Sequence, residues 1–483
     1  FMRDFRPILN ILGLLLCIES VALLIPMLFD LINKNQDWRQ FFYISCFTFL
    51  IGLVLYVGFK KEKMSINLRQ AFLLTILSWF LIALFGSLPF IYSSSSLNFT
   101  DAFFESVSGI TTTGSTVIAN LDNLSEGILV WRSLLQWFGG IGIIVLAIAI
   151  LPTLQIGGMQ LLHMEHDDPY EKTLPKINKF IFEIISLYLT LTILCFFFYY
   201  FFEMTAFDSL IHCLTTISTG GFSNHSLSFG YFNSFSLENI SILFMILGSL
   251  PFVIFIQFIH GQKMSIFKDD QIKLFLFLLI FIIFITILWL KSYFNIEWFQ
   301  SVRLATFNIT SILTGTGYTS SNYNNWGGFG LIIILMIMFI GGCAGSTTGG
   351  IKIFRFLILF RGVRLQIKKL TKPHAVFLMK FNNKTVTENT YSSIISFFFI
   401  YVLLFILSSI ALSFFELDFL TALSASASAI SNVGPGIGEI VGPIGNYSNI
   451  NNIAKWILAI TMIVGRLEIF TILILFSKNF WRN

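Results

Sequence analysis

Apolar runs of about 20 residues recur along this chain, each long enough to cross the roughly 30 Å of hydrocarbon in a bilayer. They fall near residues 8–30, 40–59, 70–91, 127–151, 180–202, 239–260, 272–291, 329–360, 391–414 and 453–477. In lipid every backbone N–H and C=O must be satisfied within the protein, so runs of this kind become helices. With 55% of its 483 residues hydrophobic, 11% charged and a mean hydropathy of +0.81, the chain lacks the polar surface of a soluble domain. The expected fold is an all-α polytopic membrane protein with ten transmembrane helices. The first run has no small-residue cleavage site after it and reads as a span, not a signal peptide.

Four further apolar segments, 101–112, 207–218, 299–315 and 417–432, are too short or too rich in Ser and Thr to span. They read as re-entrant half-helices buried in protein. Each ends in a glycine-containing stretch: GITTTGST (109–116), TISTGGFS (216–223), LTGTGYTS (313–320) and ISNVGPGI (430–437). Aligned on Gly114, Gly220, Gly317 and Gly434, these stretches recur about every 100 residues, the mark of one module used four times. Each module reads span, short helix, glycine loop, span. The expected division is two N-terminal helices in 1–66, then repeats at 67–158, 159–264, 265–372 and 373–483.

A dehydrated monovalent cation needs a cage of oxygens, and several loops aiming backbone carbonyls at one axis supply it. Glycine allows the positive φ that lets successive carbonyls face the same way. The candidate filter residues are Thr112, Thr113 and Gly114; Ile217, Ser218, Thr219 and Gly220; Gly315, Thr316 and Gly317; and Asn432, Val433 and Gly434. Each half-helix would also point the negative end of its dipole at the cavity beneath. Glycine turns joining helices are the plainer alternative, and they account poorly for four copies at one period. LTGTGYTS is similar to potassium-channel filters, but Thr319 stands where a channel places its second glycine. Fewer well-formed ion sites are expected, with Tyr318 as a scaffold residue.

Orientation follows from short loops rich in Lys and Arg. Residues 59–69 carry Lys60, Lys61, Lys63 and Arg69, and 351–384 carry nine basic residues and no acid, so that side is cytoplasmic, as is the N-terminus. The loops 91–126, 203–238 and 415–454 hold ten acids and no Lys or Arg, which would draw cations to the outer mouth. The basic segment reads as a solvated face able to meet anionic lipid headgroups.

FIGGCAGSTTGGIKIFRF (339–356) interrupts an expected helix with Gly341, Gly342, Gly345, Ser346, Thr347, Thr348, Gly349 and Gly350. It is either a kinked helix packing through glycines or an intramembrane loop lining water. Arg466, at membrane depth, faces either a cavity or a structural partner; Glu468 is only two residues away, on another helix face. HMEHDD (163–168), with His163 and His166, matches no zinc spacing and reads as a charged loop, which argues against a membrane enzyme. The five cysteines are scattered, and no Walker or Rossmann fingerprint or nucleic-acid signature appears.

On the four glycine loops and the interrupted helix, the chain resembles the Trk/Ktr/HKT superfamily of potassium transporters, and its two extra N-terminal helices resemble the TrkH type. The resemblance implies four parallel M1–P–M2 (potassium-channel-like) repeats around one pore and potassium uptake across a bacterial inner membrane. It also implies that the 341–350 loop and Arg466 gate the pore. Potassium is then the transported ion, with no organic cofactor. A TrkA-type cytosolic nucleotide-binding subunit and a homodimer follow from the resemblance alone. Gly114 in the first loop favours potassium, since relatives with serine there tend toward sodium. A sodium or mixed-cation transporter is the alternative. A coupled secondary transporter for a larger solute would predict inverted repeats, and these read as parallel.

Overall fold

The computed structural model describes residues 4–60, 66–146, 174–261, 265–382 and 384–482. His163, His166 and the expected boundary at 158 lie outside the described residues. The described chain is mostly helical, with one small antiparallel pair, Lys380–Phe381 and Lys384–Thr385. Seven helices are long and apolar enough to cross a membrane, or nine if two sharply bent pairs each count once. Ten is reached only by also counting the interrupted pair Gly327–Met338 and Ile353–Thr371.

The N-terminal hairpin packs Arg6–Ala22 onto Trp38–Gly58 at a very close crossing. A Cβ on Gly13 would lie 2.6 Å from the Gly52 carbonyl oxygen, so only glycine lets these backbones approach. Buried Asp30 accepts the Gly127 N–H at 2.8 Å. That bond pins the hairpin to the N-terminus of Glu126–Val145, where an anionic cap also suits the helix dipole.

Beyond the hairpin the same order appears four times, a long helix, a short helix, a loop and a second helix. The leading helices are Leu68–Gly86, Leu174–Phe201, Asp270–Phe294 and Glu388–Phe414. The short ones are Phe99–Ile110, Ala206–Ile217, Trp298–Leu313 and Phe419–Ser431, matching the four half-helices expected from sequence. Three of them start at a side-chain cap, from Asn98, Thr205 and Asp418.

The first closing helix, Glu126–Val145, is a single span, while the second and fourth are sharply bent where straight spans were expected. Phe235–Ser249 and Phe252–Ile259 meet at 91°, because Pro251 has no N–H to donate and its ring cannot continue the helix. Asn452–Arg466 and Ile469–Phe476 meet at 109°, where Glu468 takes a left-handed φ of 62°. In the third repeat the helix stops at Met338 and resumes at Ile353.

Candidate functional site

The four short helices end in one way. The backbone turns left-handed at Thr112, Thr219, Gly315 and Asn432, with φ of 52°, 51°, 69° and 55°. The next residue then donates back five positions: Thr113 to Ser108, Gly220 to Thr215, Thr316 to Ser311 and Val433 to Ser428, all at 2.9–3.0 Å. This bond satisfies a carbonyl that every helix C-terminus leaves open. Three of the four turning residues are not glycine, and an L side chain pays about 1–2 kcal/mol for that conformation. The strain falls on the β-branched Thr112 and Thr219, since asparagine takes this conformation readily.

This geometry corrects the register of the second loop. The residue two past the turn has a positive φ in every loop, at Gly114, Gly221, Gly317 and Gly434. Gly221, not Gly220, is therefore the counterpart of Gly114. Gly220 sits at the middle position, beside Thr113, Thr316 and Val433. Ile217 closes its helix and the Ser218 hydroxyl donates to Leu214 O at 2.8 Å, so both precede the loop proper. Adjacent glycines hide this shift in the sequence.

The four glycines close a ring. A Cβ on Gly114 would stand 2.4 Å from the Gly220 carbonyl oxygen, one on Gly221 1.8 Å from Thr316 O, one on Gly317 2.0 Å from Val433 O, and one on Gly434 2.7 Å from Thr113 O. Each loop thus abuts the middle carbonyl of the next, and the fourth returns to the first. Among the described residues the carbonyls of Thr113, Thr316 and Val433 accept no hydrogen bond. Buried unpaired carbonyls are costly unless something else supplies the positive charge.

One face of the ring opens into a funnel lined by Gly114, Gly221, Gly317 and Gly434 and the residues just after them. Arg132 and Glu105 brace this mouth. The Arg132 guanidinium donates to Glu105 at 2.8 Å and to Ser223 O at 2.9 Å, and lies over the Phe222 ring at 4.1 Å. Glu105 also accepts the Val117 N–H at 2.9 Å, so one buried ion pair ties the chain after loop one to loop two. The sequence offered no signal for this pair, whose partners are 27 residues apart. Tyr318 is buried, with its hydroxyl 2.5 Å from Thr215 Oγ1, and acts as scaffold.

At the rim, His225 has Nδ1 3.0 Å from Asp122 and Nε2 3.1 Å from Asp208. Two carboxylates on two ring nitrogens require the doubly protonated ring. Burial alone would lower the His225 pKa; the hydrogen bonds and charges of Asp208 and Asp122 outweigh it and raise the pKa above 6.5. The stabilisation is therefore complete below the unfolded value of about 6.5 and lost as pH rises through the raised folded value. Thermal unfolding scanned across that window should show the midpoint falling with rising pH, and His225→Gln should remove that part of the slope. An identical slope in His225→Gln would show that the clamp does not titrate there.

The opposite face of the ring meets the segment between Met338 and Ile353, which is a loop and not a kinked helix. Its Gly349 backs onto the fourth loop, where a Cβ would lie 2.4 Å from Ser431 O and 2.9 Å from Asn432 Cβ. Its Thr347 hydroxyl is 3.2 Å from that of Thr219 in the second loop. The break at Pro251 serves it: Ser249 O accepts the Cys343 N–H at 3.0 Å and Gly248 O the Thr347 N–H at 3.2 Å. Gln271 Oε1 takes the Ala344 N–H at 3.0 Å. Irregular backbone at membrane depth needs such internal partners.

Arg466 ends its helix, 2% exposed. Nη2 reaches Gly139 O at 3.5 Å, while Nε and Nη1 have no hydrogen-bond partner among the described residues. Glu468 does not pair with it; that carboxylate takes Arg355 at 2.7 Å. Lys352 is also buried, its ammonium on the Thr348 carbonyl. Lys352 and Arg355 are thus core residues, not part of the solvated basic face expected for 351–384. The rest of that face, from Arg361 onward, is largely exposed.

Four helix–loop units closing one carbonyl ring inside a bundle of apolar helices define a polytopic membrane protein of the pore-loop class. The chain belongs to the TrkH family of cation transport proteins, whose profile matches residues 38–483. It is 38% identical to the Trk system potassium uptake protein TrkI of Halomonas elongata, over 100% of this chain and 98% of that protein. It is 37% identical to the Trk system potassium uptake protein TrkH of Escherichia coli K12, over 99% of this chain and 100% of that protein. The crystal structure of the potassium transporter TrkH from Vibrio parahaemolyticus superposes with a TM-score of 0.91 at 36% identity, covering 99% of this chain and 100% of that one.

Proposed function

We propose that this chain takes up potassium through the four-loop ring, across a bacterial inner membrane with its N-terminus in the cytoplasm. The observation that carries the reading is the closed circuit in which each glycine faces the next loop's middle carbonyl. Among the described residues three of those carbonyls accept no hydrogen bond, which leaves them to replace an ion's water shell. The names of the full-length relatives support potassium as the ion. Thr112, Thr113 and Gly114, Thr219, Gly220 and Gly221, Gly315, Thr316 and Gly317, and Asn432, Val433 and Gly434 form the filter in this reading. The 341–350 loop and Arg466 hold back permeation beneath it, a steric and an electrostatic barrier in series.

The same reading divides the chain into a two-helix N-terminal unit, 1–66, and repeats 67–158, 159–264, 265–372 and 373–483. It pairs two copies in a homodimer and gives the cytoplasmic side to a TrkA-type nucleotide-binding subunit and anionic lipid. The exposed basic residues Arg364, Lys368 and Lys369 suit anionic lipid headgroups. Expression in a bacterium stripped of its own potassium uptake tests the function. Growth at limiting potassium is expected; failure despite normal membrane insertion and a supplied TrkA-type partner would overturn the reading.

A further inference from the structure

The second loop differs from the other three in one respect. Its middle residue is Gly220, where the others have the β-branched Thr113, Thr316 and Val433. Against Gly220 lies Gln136, fully buried on the closing helix of the first repeat. Its Nε2 donates to Gly220 O at 2.6 Å and its Oε1 accepts the Phe222 N–H at 3.0 Å. The amide brackets Gly221 from both sides, as a paired strand would. A Cβ on residue 220 would fall 2.4 Å from the Gln136 Cδ and Oε1, so glycine stands there because the amide occupies the space.

The sister repeats show what Gln136 replaces. Gly139, Gly248 and Gly465 pack on the last helical turn before loops one, two and four, at Ile110 O, Ile217 O and Ile430 O. Three residues earlier on each closing helix stand Gln136, Met245 and Met462, all buried. Methionine and glutamine have nearly the same length and volume. A thioether fills the position in two repeats, and an amide fills it only beside the loop with the extra glycine.

We propose that Gln136 is a specificity-determining positioning residue. It fixes the second loop's place in the ring and takes one lone pair of the Gly220 carbonyl. The ring is then unequal, with three unshared middle carbonyls and one shared with an amide. This rests on the filter reading above.

The test is rubidium and sodium flux in liposomes carrying the full chain, alongside thermal unfolding. Gln136→Met keeps the volume found in the sister repeats but frees Gly220 O and leaves the Phe222 N–H without its acceptor. The sodium-to-rubidium ratio is expected to rise about three- to tenfold, the effect of one lost hydrogen bond. Gln136→Leu removes both the donor to Gly220 and the acceptor for Phe222 without adding a titratable group, and should also shift the ratio, so the proposal stays testable if Gln136→Met folds poorly. Gly317→Ser, in a loop Gln136 does not touch, separates the two readings. A changed ratio in Gly317→Ser with no change in either Gln136 variant overturns the role of Gln136 alone. No change in any of the three overturns the filter reading with it.

Discussion

Gly221→Ala is expected to lower rubidium uptake about tenfold or more and to leave residual flux unable to distinguish rubidium from sodium. Its Cβ would lie 1.8 Å from the Thr316 carbonyl oxygen, a backbone atom that cannot swing away as a side-chain end can. The new side chain must also hold a φ of 75°, which costs an L residue about 1–2 kcal/mol. The second and third loops then separate, and an ion at that level loses oxygens from both. Displacement by even about 1.4 kcal/mol of binding is a tenfold loss. Gly328→Ala is the control, since a Cβ there meets nothing within 4 Å. Uptake and discrimination like the parent's in Gly221→Ala would remove Gly221 from the ring.

Arg466→Ala is expected to raise flux about tenfold. A buried guanidinium with two nitrogens unpaired among the described residues is held at a large desolvation cost, and its field opposes any cation passing nearby. Removing it lowers that barrier, each 1.4 kcal/mol being about a factor of ten. Shortening 341–350 should raise flux independently, because that barrier is steric. The loop is anchored on one side by Thr347 to Gly248 O and on the other by Gly349 against Asn432. If neither change raises flux, the loop and Arg466 are structural and the proposed gate is wrong.

The short helices were legible in the sequence because their Ser/Thr content and length rule out spanning, whereas the caps that fix their first residues, at Asn98, Thr205 and Asp418, appear only in the structure. The interruption after Met338 was legible as a choice between kink and loop. Hydrogen bonds from distant residues decide it, chiefly Ser249 O and Gln271 Oε1, and no local pattern records them. The register of the second loop was misread because Gly220 and Gly221 are chemically identical; only the backbone angles separate them. Lys352 and Arg355 were counted with a solvated face since charge counting cannot see that Thr348 and Glu468 receive them. Gln136 carried no signal at all. Its role appears only once the first repeat's helix is laid beside the second repeat's loop.

Rubidium and sodium flux into liposomes holding this chain alone, measured for the parent and for Gly221→Ser, tests the four-loop ring most directly. Rubidium entry well above sodium in the parent, with that preference lost in the variant, is the predicted result. Equal entry of both ions in the parent, or an unchanged preference in Gly221→Ser, would contradict it.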